Sequence, residues 1–122
     1  MKPKLLLVDD SALARRSLRA ILESDGFDVV EGEDGMTALE RYFLEKPDLV
    51  VLDLVMKGMY GLDVLTKLRQ LDPTVRVVVV SADIQESSHQ LVEEAGASGF
   101  VTKPVDKRRV LEVIRGVLEG RA

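Results

Sequence analysis

Leu49-Val50-Val51-Leu52-Asp53 is an apolar run closed by an acid, and its reading decides the fold. A short apolar run without alternation, bounded by polar residues, reads as a strand buried on both faces, as in a parallel sheet covered by helices on either side. Leu5-Leu6-Leu7-Val8 repeats the pattern and is closed by Asp9-Asp10. In open α/β sheets ligands sit just beyond the carboxyl ends of the strands, which places Asp9, Asp10 and Asp53 in one pocket. Acids held that close repel one another and raise at least one pKa unless a cation intervenes. A carboxylate cluster with few other donors suits Mg2+, a hard ion that prefers oxygen. The residues point to a magnesium-dependent phosphate site.

Outward from these two runs the chain alternates strand and helix signals. Ser11 caps a helix in which Leu13, Leu18, Ile21 and Leu22 recur at helical spacing, while Arg15, Arg16 and Arg19 stay outside and Asp25-Gly26 closes it. A second strand from Asp28 to Glu31 precedes Gly32 to Gly35 and a helix with Ala38, Leu39, Tyr42 and Phe43 on one face, ended by Pro47. After Asp53, Gly58 and Gly61 make the loop permissive, and Leu62, Val64, Leu65, Leu68 and Leu71 form a helix stopped by Asp72-Pro73. Val77 to Val80 makes a fourth strand ending at Ser81, and a helix from about Gln85 carries Leu91, Val92 and Ala95 up to Gly96. Gly99 to Thr102 makes a fifth strand ended by Lys103-Pro104, and a last helix from about Asp106 buries Val110, Leu111, Ile114, Val117 and Leu118. Strands alternating with helices in this way imply right-handed crossovers and an α/β fold, a parallel sheet with helices on both faces.

Composition narrows the function classes. A chain of 122 residues with 46% hydrophobic content fits one domain, residues 1–122, with a full core. A formal net charge of −4 argues against sequence-independent nucleic-acid binding, which needs a basic stripe, so partners are expected to be proteins or small anions. With no cysteine and one histidine, neither disulfides nor a zinc site can be built. Only four apolar residues follow Met1-Lys2-Pro3-Lys4, too few for a signal peptide, and no stretch approaches a membrane span, so the expected location is cytoplasmic.

Asp9-Asp10, Asp53 with Met56 and Gly61 behind it, Ser81-Ala82 and Lys103-Pro104 together resemble, in order and spacing, the receiver domains of two-component response regulators. The resemblance spans essentially the whole chain and fits a stand-alone, chemotaxis-regulator-like member. It implies a flavodoxin-like, doubly wound five-stranded sheet of order 2-1-3-4-5 with five helices, in which the first and third strands are neighbours. It also implies that Asp53 is the nucleophile, taking a phosphoryl group from a sensor histidine kinase or histidine phosphotransfer domain to form an aspartyl phosphate. Under the same resemblance Asp10 and Asp53 ligate Mg2+, Asp9 acts largely through water, and the backbone carbonyl of Val55 completes the protein ligands. Lys103 and the metal balance the equatorial oxygens, and Lys103-Pro104 is a candidate cis bond. Ser81 is then the hydroxyl that moves toward the phosphoryl group, with an aromatic residue on strand five, here Phe100, turning inward behind it. The signal passes to a downstream effector protein through the face made by helix four, strand five and helix five.

The sequence departs from the family pattern in places. Lys57 stands where proline is usual, Tyr60 replaces a common aspartate, and Phe100 lacks the hydroxyl of the usual tyrosine, leaving both a core role and a switching role open for it. Val55 cannot orient an attacking water, and Asp83 could order that water or repel it. His89, in the fourth helix, reads as an exposed helical histidine, and Lys107-Arg108-Arg109 as a solvated run opening the last helix. Three other classes compete. A dehalogenase-like phosphatase needs an aspartate two residues after the nucleophile, where Val55 stands; a flavodoxin does not need these acids; and a pseudo-receiver, an interaction module not regulated by phosphorylation, does not need Asp10, Asp53, Ser81 and Lys103 as a set.

Overall fold

A computed structural model describes residues 2–56, 60–82 and 86–120, apart from the side chain of Glu86. Strands β1 (Lys4–Val8), β2 (Asp28–Gly32), β3 (Leu49–Asp53), β4 (Val77–Ser81) and β5 (Gly99–Thr102) alternate with helices α1 (Ala12–Ser24), α2 (Gly35–Glu45), α3 (Gly61–Leu71), α4 (Glu86–Glu94) and α5 (Lys107–Leu118). All the pairings are parallel and the order is β2-β1-β3-β4-β5. The chain runs outward from β1 to β2, then crosses back to lay β3 on the other side of β1. Registers of Leu5 with Leu49 and Val8 with Leu52 bring the carboxyl ends of β1 and β3 level at that switch point.

With both faces covered, period-two alternation leaves the interiors of β1, β3 and β4 without polar residues. Leu5, Leu7, Leu49, Val51, Val78 and Val80 pack with Leu18, Leu22, Val110 and Ile114 of α1 and α5. Leu6, Val8, Val50, Leu52, Val77 and Val79 pack on the other side with Ala38, Val64, Leu65, Leu68 and Val92 of α2, α3 and α4. Each buried Leu or Val contributes roughly 1.5–3 kcal/mol of transfer free energy, and both faces of the sheet draw on it. Among the described residues, no helix is long and apolar enough to cross a membrane.

Helix ends follow local chemistry. The Ser11 hydroxyl accepts from the Ala14 amide at 3.2 Å, and the Asp34 carboxylate accepts from the Thr37 amide at 2.8 Å, each satisfying an orphan donor of a first turn. Helix α2 ends at Glu45, two residues before Pro47, with Lys46 left-handed at φ 50° and its amide donating to the Tyr42 carbonyl. Tyr42 donates to Asp72 at 2.5 Å, joining α2 to the end of α3. That bond and burial push the phenol above its ordinary range, burial being the larger cause.

Several side chains lie on other faces than periodicity predicts. Leu13, Phe43, Leu71 and Leu91 are 73%, 55%, 52% and 51% exposed, whereas Arg15, expected outside, is largely covered. A helix lying on a sheet buries a stripe only about a third of its circumference wide, and these four fall outside it. The predicted start of α4 at Gln85, the loop residues Lys57 and Gly58, and Asp83 lie outside the described residues.

Candidate functional site

Carboxylate oxygens of Asp9, Asp10 and Asp53 all lie within 4.8 Å of one another. Asp9 and Asp10 are the first residues beyond β1, and Asp53 is the last of β3, so the parallel register of the two strands delivers all three to one edge. Asp9 and Asp53 are buried, while Asp10 opens toward solvent. Lys103, just past β5, sends Nζ to 3.1 Å from Asp9 Oδ2 and 3.7 Å from Asp53 Oδ2. The Lys103–Pro104 peptide is cis, as the resemblance implies, and the Lys103 amide donates to the Ser81 carbonyl at 2.8 Å.

Electrostatics at Asp53 oppose its ionisation. Burial raises its pKa most, and the Asp9 charge raises it further; Lys103 and a long 3.4 Å bond from the Val55 amide pull the other way without prevailing. A carboxylate destabilised in this way gains from a nearby cation. Hard oxygen donors converging from three acids, offset among the described residues by Lys103, fit Mg2+ better than a soft or borderline ion.

The remaining candidates occupy graded distances from this cluster. Ser81 ends β4 one residue beyond Val80, the register partner of Asp53, and has no exposed surface; its neighbour Ala82 is exposed. Val55 brings its amide to Asp53 at the site, while the residue as a whole is 59% exposed. Phe100 is not brought to the acids. It sits half-buried on β5 opposite Val79, its ring 4.5 Å from that of exposed His89 and tilted by 32°. Gly61 is required at the start of α3 for space, because a Cβ there would lie 2.5 Å from the Asp53 carbonyl oxygen and 2.6 Å from Leu54 Cα.

One member of the site escaped the sequence reading. Arg15 donates to the Asp9 carbonyl at 2.5 Å and to Glu31 of β2 at 2.8 Å. The only local signal is an arginine one turn into α1, and nothing in the linear sequence joins it to Glu31.

The chain is similar to known proteins. The response regulator receiver domain profile matches residues 5–115. The chemotaxis protein CheY of Bacillus subtilis is 40% identical over 119 residues, covering 97% of this chain and 99% of that protein. CheY of Thermotoga maritima is 35% identical over 118 residues, covering 96% and 98%. Among solved structures, a chain of the CheX–CheY–BeF3–Mg2+ complex from Borrelia burgdorferi superposes with TM-score 0.90 at 32% identity, covering 93% of this chain and 87% of that one. A CheY-like receiver domain protein from Methanospirillum hungatei superposes with TM-score 0.93 at 26% identity, covering 99% and 97%. With the profile spanning most of the chain and full-length relatives sharing a third or more of its residues, this chain belongs to the response regulator receiver domain family, among its CheY-like members.

Proposed function

We propose that the protein is a phosphoacceptor switch in which Asp53 takes a phosphoryl group from a phosphohistidine of a sensor kinase or histidine phosphotransfer domain. The observation that carries this reading is the convergence of Asp9, Asp10 and Asp53 with Lys103 at the sheet's switch point. A carboxylate oxygen of Asp53 attacks phosphorus, the P–N bond breaks, and its electron pair stays on the imidazole nitrogen of the donor. Phosphoryl transfer is mainly positioning and charge neutralisation, so Lys103 faces the equatorial oxygens as they gather charge. Asp10, Asp53 and the Val55 carbonyl would hold Mg2+, with Asp9 acting through water. When bound, the ion neutralises the acids and the incoming phosphoryl oxygens. Asp9 suits an indirect part because Ser11 and Lys103 already engage its two carboxylate oxygens.

Replacing Asp10 tests the metal assignment. Wild-type protein is expected to gain thermal stability from Mg2+ by mass action, and Asp10→Ala to gain much less while melting no lower in metal-free buffer, since one repelling charge is gone. Equal Mg2+-induced shifts in the two proteins would remove Asp10 from the ligand set.

Output is assigned to the α4–β5–α5 face, including His89, Phe100 and Lys107, where an effector protein would read the state. Ser81 is the relay. It is fully buried at the end of β4, between β3 with its Asp53 and β5, and an allosteric bias of about 1–3 kcal/mol shifts an existing equilibrium without a new fold. Ser81→Ala is expected to retain Mg2+ binding and much of the phosphorylation while blunting NMR shifts at Phe100 and α4 on adding beryllofluoride. Silence of Phe100 and α4 in the wild type, with shifts confined to the metal loops, would overturn this route.

A further inference from the structure

Asp9 has each of its polar atoms engaged by a different neighbour. Its amide donates to the Gly32 carbonyl at 3.2 Å, Oδ1 accepts from the Ser11 amide at 2.9 Å, Oδ2 faces Lys103 Nζ at 3.1 Å, and its carbonyl accepts from Arg15 Nη1 at 2.5 Å. The last of these bonds comes from outside the acid cluster. Arg15 is 14% exposed, an unusual place for a guanidinium unless a carboxylate compensates it, and Glu31 does so at 2.8 Å from Nε. Glu31 uses its other oxygen on Arg19 Nη1 at 2.6 Å, and Arg19 Nε reaches Glu23 at 3.2 Å. A chain of ionic contacts thus runs from the surface of α1 through the end of β2 to the Asp9 carbonyl.

That carbonyl belongs to the peptide linking Asp9 to Asp10, so whatever clamps it also sets the direction in which Asp10 leaves the strand. A charged donor at 2.5 Å, itself held by an ion pair with Glu31, holds a carbonyl more firmly than a neutral bond can. We infer that Arg15, anchored by Glu31, is a positioning residue that orients the Asp9–Asp10 peptide and so presets Asp10 for the metal. This deepens the proposed Mg2+-dependent function and rests on it. Arg19 provides the internal comparison: it shares Glu31 and also ties α1 to β2, yet it does not touch Asp9.

Mg2+ affinity is measured by calorimetry with MgCl2, and amide exchange of Ser11 by NMR in metal-free protein, for wild type, Arg15→Met, Arg15→Lys and Arg19→Met. Losing a partner behind the ligand shell typically weakens metal binding about 10-fold or more, so Arg15→Met is expected to lose on the order of 10-fold. Arg15→Lys, which can reach the Asp9 carbonyl or Glu31 but cannot fork to both, is expected to lose about 3-fold. Ser11 exchange should quicken in Arg15→Met even without metal. Arg19→Met should show neither change, even where its melting temperature falls as far. Wild-type affinity in Arg15→Met, whatever its Ser11 exchange, or an equal loss in Arg19→Met, would reduce Arg15 to a structural staple and overturn the inference. If Arg15→Met does not fold, Arg15→Lys decides, wild-type affinity counting against. Failure of the wild type to bind Mg2+ would overturn the proposed function together with the inference, whereas wild-type binding unaffected by Arg15→Met overturns the inference only.

Discussion

Incubated with Mg2+ and acetyl phosphate, the wild-type protein is expected to gain one phosphoryl group by intact-mass analysis, and Asp53→Asn to gain none. In this reaction the Asp53 carboxylate attacks phosphorus and acetate leaves with the electrons of the broken P–O bond. An amide oxygen at the same place is neutral and a poor nucleophile, so the loss should be complete. Asp9 and Asp10 cannot replace it if their part is to hold the metal. Unchanged labelling of the Asn variant would sink the assignment. The same substitution has a stability signature of opposite sign. Asp53 has a folded-state pKa above its ordinary value, first through burial and then through Asp9. Between the unfolded and folded pKa values the folded state keeps a proton that the unfolded state has lost, so stability falls as pH rises through that window. Above it the charged Asp53 destabilises the metal-free fold in full. Asp53→Asn never ionises, and in metal-free buffer at neutral pH it should melt higher than the wild type. The advantage should shrink as pH falls toward the ordinary aspartate range, and an advantage that grew with acidification would contradict the assigned cause.

Gly61→Ala is expected to be the most damaging single methyl group near the site. Its Cβ would meet only backbone, at 2.5 Å from the Asp53 carbonyl oxygen, 2.6 Å from Leu54 Cα and 2.8 Å from the Leu54 carbonyl oxygen. No flexible side chain can yield there, and the Gly61 amide is tied to the Leu54 carbonyl at 2.7 Å. Overpacking of this kind typically costs about 1–3 kcal/mol. For a domain of this size that corresponds to a drop of roughly 4–10 °C in melting temperature. Because the displaced backbone carries Asp53, phosphorylation from acetyl phosphate should slow as well, even well below the melting point. A variant with wild-type stability and labelling would mean that α3 can retreat from β3 freely, contrary to the packing of Val64, Leu65 and Leu68 on the sheet.

The strands themselves and the convergence of the three acids are legible because they follow from short, local patterns, whereas the order of the strands is implied only by the family resemblance. Leu5-Leu6-Leu7-Val8 and Leu49-Val50-Val51-Leu52 can be strands only if both faces are covered, and a parallel sheet carries the residues that follow them to one edge. Gly99 to Thr102 was bounded correctly by glycine on one side and Lys-Pro on the other. Helix faces were legible only in part. Leu18, Leu22, Val64, Leu68, Val110 and Ile114 are buried as their spacing predicts, yet Leu13, Phe43, Leu71 and Leu91 share that spacing and face outward. Periodicity identifies a stripe by residue type, but its width depends on how closely the neighbouring element approaches.

The sequence by itself determined the elements, the sheet they form and the edge at which Asp9, Asp10 and Asp53 meet, since each of these depends on runs of a few consecutive residues and on the chirality of crossovers. Only the tertiary structure decided that Arg15 turns inward to Glu31 and the Asp9 carbonyl, that Tyr42 reaches Asp72, and that Phe100 rests against His89. Those contacts join side chains from different elements. Their geometry is set by how whole helices settle on the sheet, which no window of neighbouring residues encodes.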